Sequence, residues 1–275
     1  MLNEYLGHNN TIEYNPDPFK KIHIRWLILL LIVSQLGIFT FLNISKEIPI
    51  EGYASQSILI IWALVIIRKH NVSLAKLIGQ TPNDMNWWPM FGLTLTLLVY
   101  AIGAIAVVLY PIFTMNQDFA IKLLDATSNH SPIHTLFLGV FIAPIVEEII
   151  FRGFLLNRIG KKWGIRTGII LSSLIFGLGH SIFFLGAFVI GIVFCLIYIK
   201  TKTLIVPMTS HILYNSLVWL GSLVAQDSGG FSSEYWLQFV YQGLVAILIS
   251  SPIIFMMMIK WWPSSSQKLP YDSNK

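Results

Sequence analysis

The sequence predicts an all-α, polytopic membrane helix bundle of about eight transmembrane helices with both termini cytoplasmic. Three observations carry this prediction. The 275 residues are 55% hydrophobic and only 11% charged, where a soluble domain carries about 25% charged residues. The apolar residues fall in long runs rather than in alternation, which excludes a β-barrel. The basic residues cluster between alternate runs, as orientation signals do.

A span needs about 20 predominantly apolar residues. In chain order the runs are Trp26–Leu42, Tyr53–Ile67, Pro89–Phe113, Ile133–Phe154, Ile165–Ser181, Phe183–Ile199, Leu204–Val224 and Trp236–Ile259. The fifth and sixth are nearly continuous and together too long for one crossing. Gly177, Gly179 and Gly186 place a turn between them. With the N-terminus inside, every Lys and Arg except Lys46 and Lys122 falls on the cytoplasmic side. Reading the fifth and sixth runs as a single span would break that alternation at Lys200.

The expected organisation is a soluble N-terminal tail (1–25), a membrane-embedded domain (26–262) and a disordered C-terminal tail (263–275). The first 19 residues are polar and lack the basic n-region of a signal peptide. The net charge of +5 comes without an aromatic–basic surface, so no nucleic acid is expected. The lipid bilayer is the expected partner. Cys195 stands alone in an apolar run and reads as a buried structural thiol.

Few ionisable residues fall inside the spans, and such residues usually face a bundle interior and mark function. Glu147, Glu148 and Arg152 lie in the fourth run, His180 near the end of the fifth, and His211 with Asn215 in the seventh. Glu148 and Arg152 are spaced i, i+4, so they pair on one face. Glu147 points about 100° away and has no partner on its own helix. A buried carboxylate of that kind suits a general base. His211 and Asn215 are also i, i+4. Singly, each histidine or amide reads as an interhelical hydrogen bond. Together, on three helices, they read as a constellation.

Two chemistries fit. In one, Glu147 and His180 activate a water while His211 and Asn215 stabilise an oxyanion. In the other, Glu147, His180 and His211 hold a divalent metal such as zinc, although His-Glu-x-x-His is absent. Convergence is the test of either. Measured into the expected spans, Glu147 and His211 lie about 10 Å deep and His180 roughly 22 Å. The mismatch closes if the fifth helix begins earlier, near Lys161.

The motifs Glu-Glu-x-x-x-Arg (147–152), Phe-x-x-x-His (Phe176, His180) and His-x-x-x-Asn (211–215), in that order, resemble the CPBP family of intramembrane proteases. That family includes the CAAX prenyl endopeptidase Rce1 type and bacterial abortive-infection-like proteins. The resemblance covers roughly Ile133 to Val224. It implies a multi-pass protein of the bacterial cytoplasmic membrane that hydrolyses membrane-associated protein or peptide substrates from a site open to the cytoplasm. It implies Glu147 as base, His180 as its partner, His211 and Asn215 as oxyanion stabilisers, and Glu148 with Arg152 in support. The alternatives are a non-catalytic scaffold or bacteriocin-immunity-type protein on the same fold, or a proton-coupled transporter. A transporter would be expected to show internal repeats, and none is evident.

Overall fold

The computed structural model describes residues 17–26, 28, 29, 32, 50–121, 132–225 and 233–274. All regular structure among them is helical. Helix α1 (Ile50–His70) leads through the short α2 (Leu74–Ile78) to α3 (Trp88–Met115). A continuous helical segment, α4, occupies 132–163. Then come α5 (Ile165–Leu178), α6 (Phe184–Thr201), α7 (Ile205–Ala225), α8 (Ser233–Trp261) and the single turn α9 (Pro270–Ser273). The first expected span lies outside the described residues apart from Trp26, Ile28, Leu29 and Ile32.

Three of these helical stretches, Trp88–Met115, Ser181–Thr201 and Trp236–Trp261, are long and apolar enough to cross a membrane. Helix α8 leaves Leu237, Leu248, Ile249, Phe255 and Met256 exposed. A row of bare apolar side chains on one helix suits lipid and not water. Its inner face packs closely on α3. A Cβ added at Gly103 of α3 would meet the Gly243 carbonyl oxygen of α8 at 2.5 Å. Small residues at a crossing let backbones approach, the usual basis of helix pairing in lipid.

Helix α4 is the centre of the molecule and is irregular. Thr135–Ile142 and Glu148–Leu156 are π-helical, separated by the α-helical Ala143–Glu147. From Ile150 to Leu156 every side chain is buried, so this stretch is enclosed on all sides. A π turn disturbs the regular carbonyl pattern. Asn157 supplies a partner at its end, donating through Nδ2 to the carbonyls of Gly153 (2.8 Å) and Arg152 (3.1 Å).

Lys161 belongs to the end of α4 and does not begin the fifth helix. Gly164, at φ +91°, makes the break that a side-chain-bearing residue would resist. The expected early start is therefore corrected: α5 begins at Ile165. The turn expected between the fifth and sixth runs is formed by 179–183.

The chain ends also differ from the expectation of free tails. Phe19 and Ile22 are fully buried, with Asp17 capping the short turn Pro18–Lys21 through Phe19 N. Residues 269–274 pack back on the bundle, where Tyr271 is buried and its ring meets Phe19 edge-on at 4.8 Å. Tyr271 Oη accepts from Ser73 N, and Asn274 Nδ2 donates to the carbonyls of Lys76 and Lys202. The polar tail composition hides these anchors, because Leu269, Pro270 and Tyr271 are only three residues of apolar surface.

Candidate active site

The site is built on the α4 segment around Glu147 and Glu148, on the C-terminal end of α5, and on the first half of α7. Glu148 and Arg152 have the expected pairing, Arg152 Nη1 donating to Glu148 Oε1 at 2.9 Å with both residues fully buried. Arg152 is further held between two aromatic rings, 4.4 Å from the Phe176 centroid and 5.4 Å from that of Phe194. Its Nη2 donates to the Gly191 carbonyl at 3.4 Å. A guanidinium tolerates this surrounding because it is planar and weakly hydrated.

Glu148 is also shared across helices. The same Oε1 lies 2.9 Å from His211 Nδ1. A carboxylate ion-paired to arginine is an acceptor, so His211 donates through Nδ1–H. The other ring nitrogen, Nε2, lies 3.8 Å from Glu147 Oε2. The two adjacent glutamates thus reach opposite nitrogens of one imidazole. Glu147 has no partner on its own helix, as expected, but finds one on α7.

Glu147 and Glu148 differ sharply in access. The Glu148 side chain is wholly buried and that of Glu147 is 16% exposed. Gln56 of α1, a residue not singled out from the sequence, also stands beside Glu147. Its signal was weak: one amide in the apolar run Tyr53–Ile67.

His180 and Asn215 are arranged around this centre by less direct links. His180 stands just beyond α5, its Nδ1 2.7 Å from the Phe176 carbonyl. A carbonyl only accepts, so Nδ1 carries the proton and Nε2 is left as an acceptor. The Phe176 ring touches both imidazoles, with centroids 4.4 Å from His180 and 6.0 Å from His211. Among the described residues no ion pair joins His180 to Glu147. Asn215, one turn beyond His211, donates to the Gly139 carbonyl of α4 at 2.7 Å.

The metal set, one of the two chemistries the sequence left open, is not assembled. Among the described residues no three His, Cys, Asp or Glu side chains are placed to hold an ion. Glu147 and His211 face each other, but His180 does not complete a triad with them. The residues therefore do not fit a zinc ion, and no metal-assisted step is derived. Cys195 is buried against Ser172 and Ser173, its Sγ 3.5 and 3.7 Å from their hydroxyls, as a structural thiol would be.

Residues 129–217 match the sequence model of the Type II CAAX prenyl endopeptidase Rce1-like family. This segment is Rce1-like. It contains every residue of the three motifs and the entire Glu147–His211–Glu148 arrangement. Over 227 residues, 73% of this chain and 90% of the relative, the sequence is 29% identical to the membrane-embedded CAAX protease MroQ of Staphylococcus aureus strain USA300. It is 31% identical over 85 residues to the candidate membrane peptidase YdiL of Bacillus subtilis strain 168, covering 30% of this chain and 35% of that one. An uncharacterized 24.3 kDa protein of Escherichia coli is 28% identical over 126 residues, 41% of this chain and 58% of its own. No solved structure matches the chain.

Proposed function

We propose that the protein is a multi-pass intramembrane endopeptidase hydrolysing peptide bonds of membrane-associated protein or peptide substrates. The observation that carries the proposal is the approach of Glu147 Oε2 and His211 Nε2, which face each other across 3.8 Å. With His211 neutral and its proton on Nδ1, both atoms accept, and a water about 2.8 Å from each donates to the two. The Rce1-like segment and the relatives named as membrane proteases support the same reading.

The chemistry then follows from the side chains. Glu147 takes a proton from the water as its oxygen attacks the scissile carbonyl carbon, and His211 orients that water. Glu148 keeps His211 in the required tautomer, and Arg152 holds the Glu148 carboxylate in place through their ion pair. Asn215 uses one amide N–H on Gly139 and has the second for the developing oxyanion. His180 is a second imidazole on the far side of the Phe176 ring, held through Nδ1 with Nε2 free to accept from solvent in the site. The proton on Glu147 passes to the leaving nitrogen as the C–N bond breaks.

The same reading includes eight spans, cytoplasmic termini and a site entered from the cytoplasm, supported by the basic loops.

Glu147→Gln keeps the shape and removes the base. Purified wild type and E147Q, reconstituted in liposomes, are compared on internally quenched peptides with and without a C-terminal prenyl-cysteine. Cleavage is expected to fall by about 10²-fold or more at equal folded yield. Equal cleavage by the two proteins would remove Glu147 from the mechanism.

A further inference from the structure

The structure contains a cavity whose lining does not include Glu147, and it is independent of the peptidase reading. It has a volume of about 580 Å³ and lies between the chain at 23–28, the end of α4 and the inner half of α5. That volume is in the range of small-molecule sites. Its walls divide by chemistry. Four lining residues, His23, Arg25, Arg158 and Lys162, carry basic groups. Ile28, Leu171 and Ile175 give an apolar wall. No acidic residue lines it.

Among the described residues none of Arg25, Arg158 or Lys162 has a carboxylate within 4.0 Å. Their contacts are of other kinds. Arg158 Nε donates to the Ile22 carbonyl at 2.6 Å, Lys162 lies over the Trp163 ring and Arg25 over that of Trp26. The adjacent Lys161 shows the contrast, since it is paired with both Asp17 and Asp272.

We propose that this cavity binds one anionic phospholipid. The phosphate lies among Arg25, Arg158 and Lys162, and the start of an acyl chain lies along Ile28, Leu171 and Ile175. Basic pockets between membrane helices take anionic headgroups in this way. Leu171 and Ile175 carry the apolar wall along α5, away from the basic end of α4. A soluble acidic peptide would satisfy the cations but would leave that wall bare. The lipid satisfies both.

The test uses the full chain in nanodiscs of phosphatidylcholine with or without phosphatidylglycerol. The readouts are thermal unfolding and the lipid retained in native mass spectrometry. Wild type is expected to melt higher with phosphatidylglycerol and to retain one such molecule. Arg25→Gln with Lys162→Gln should weaken retention roughly 30-fold, the scale for two basic groups near a membrane surface. In phosphatidylcholine alone this variant should melt like wild type. Leu171→Trp, which fills the apolar wall without changing charge, should also lose the retained lipid. Equal retention of the two lipids, or an unchanged preference in both variants, would overturn the proposal. So would an equal shift from glycerol phosphate without lipid, which would make this a free-anion site, or from a soluble acidic peptide.

Discussion

Arg152 shows what a charge requires inside an apolar bundle. Removing such an ion from water is expensive, and attraction to one carboxylate offsets this only when the remaining donors are also engaged. Here Glu148, the Gly191 carbonyl and two aromatic faces share that task, while Arg152 Nε has no hydrogen-bond partner among the described residues. Arg152→Ala would strand Glu148, buried, with His211 alone. The expected loss is about 3–5 kcal/mol of stability, seen as a lower melting temperature and a lower folded yield in detergent. Arg152→Lys should recover only part of it, because an ammonium cannot lie flat between Phe176 and Phe194. Unchanged melting of R152A would show that the pair adds nothing to the fold. The contrast with Glu147→Gln is the useful one, since that change is expected to spare the fold. The sequence made this pair legible through its i, i+4 spacing. The link from Glu148 to His211 was not legible, because 63 residues separate them and no spacing rule reports a contact between helices.

At the scale of elements, legibility followed length. The run Pro89–Phe113 announces α3 because so many consecutive apolar residues have one economical structure in lipid, a helix. The π turns of α4 leave no such trace. A π turn shifts the helical phase, and phase can be read only where one face is polar. From Ile150 to Leu156 all faces are buried, so no polar face marks the shift. Close helix crossings are likewise set by tertiary structure, and α3 allows a controlled comparison. Gly103 and Gly92 lie on the same helix, but a Cβ at Gly103 would meet the Gly243 carbonyl and, at 2.6 Å, Ile247 Cγ1, whereas at Gly92 nothing lies within 4 Å. Gly103→Ala should destabilise by about 1–3 kcal/mol, the scale of overpacking. Gly92→Ala should be neutral or stabilise by up to about 1 kcal/mol, since alanine is the better helix former. Thermal unfolding of both in the same detergent checks this. Equal melting of the two variants would mean that α3 and α8 do not cross where these glycines meet.

For the whole molecule, the question is which ends of the helices share a membrane face, and the contacts made by the chain ends bear on it. Lys161 Nζ joins Asp17 at 2.7 Å to Asp272 at 2.8 Å, and Asn274 joins Lys76 to Lys202. Five separate parts of the chain therefore meet at one end of the bundle: the N-terminal turn, α2, the end of α4, the α6–α7 connection and the C-terminal segment. Lys76, Lys161 and Lys202, from three of the basic loops, meet there. The first expected span lies outside the described residues, and its crossing rests on sequence alone. Labelling tests the arrangement cleanly, because the one native cysteine, Cys195, is buried. Lys69→Cys, Lys202→Cys and Gln267→Cys are placed on the shared face, and Asp118→Cys lies beyond the far end of α3. An impermeant maleimide applied to intact cells should label only D118C, and the other three should react only after the membrane is opened. Labelling of the three but not D118C would reverse the orientation and place the basic loops outside. Labelling of D118C together with the three would put both ends of α3 on one side, and the count of crossings would fail at the helix whose sequence gives it most directly.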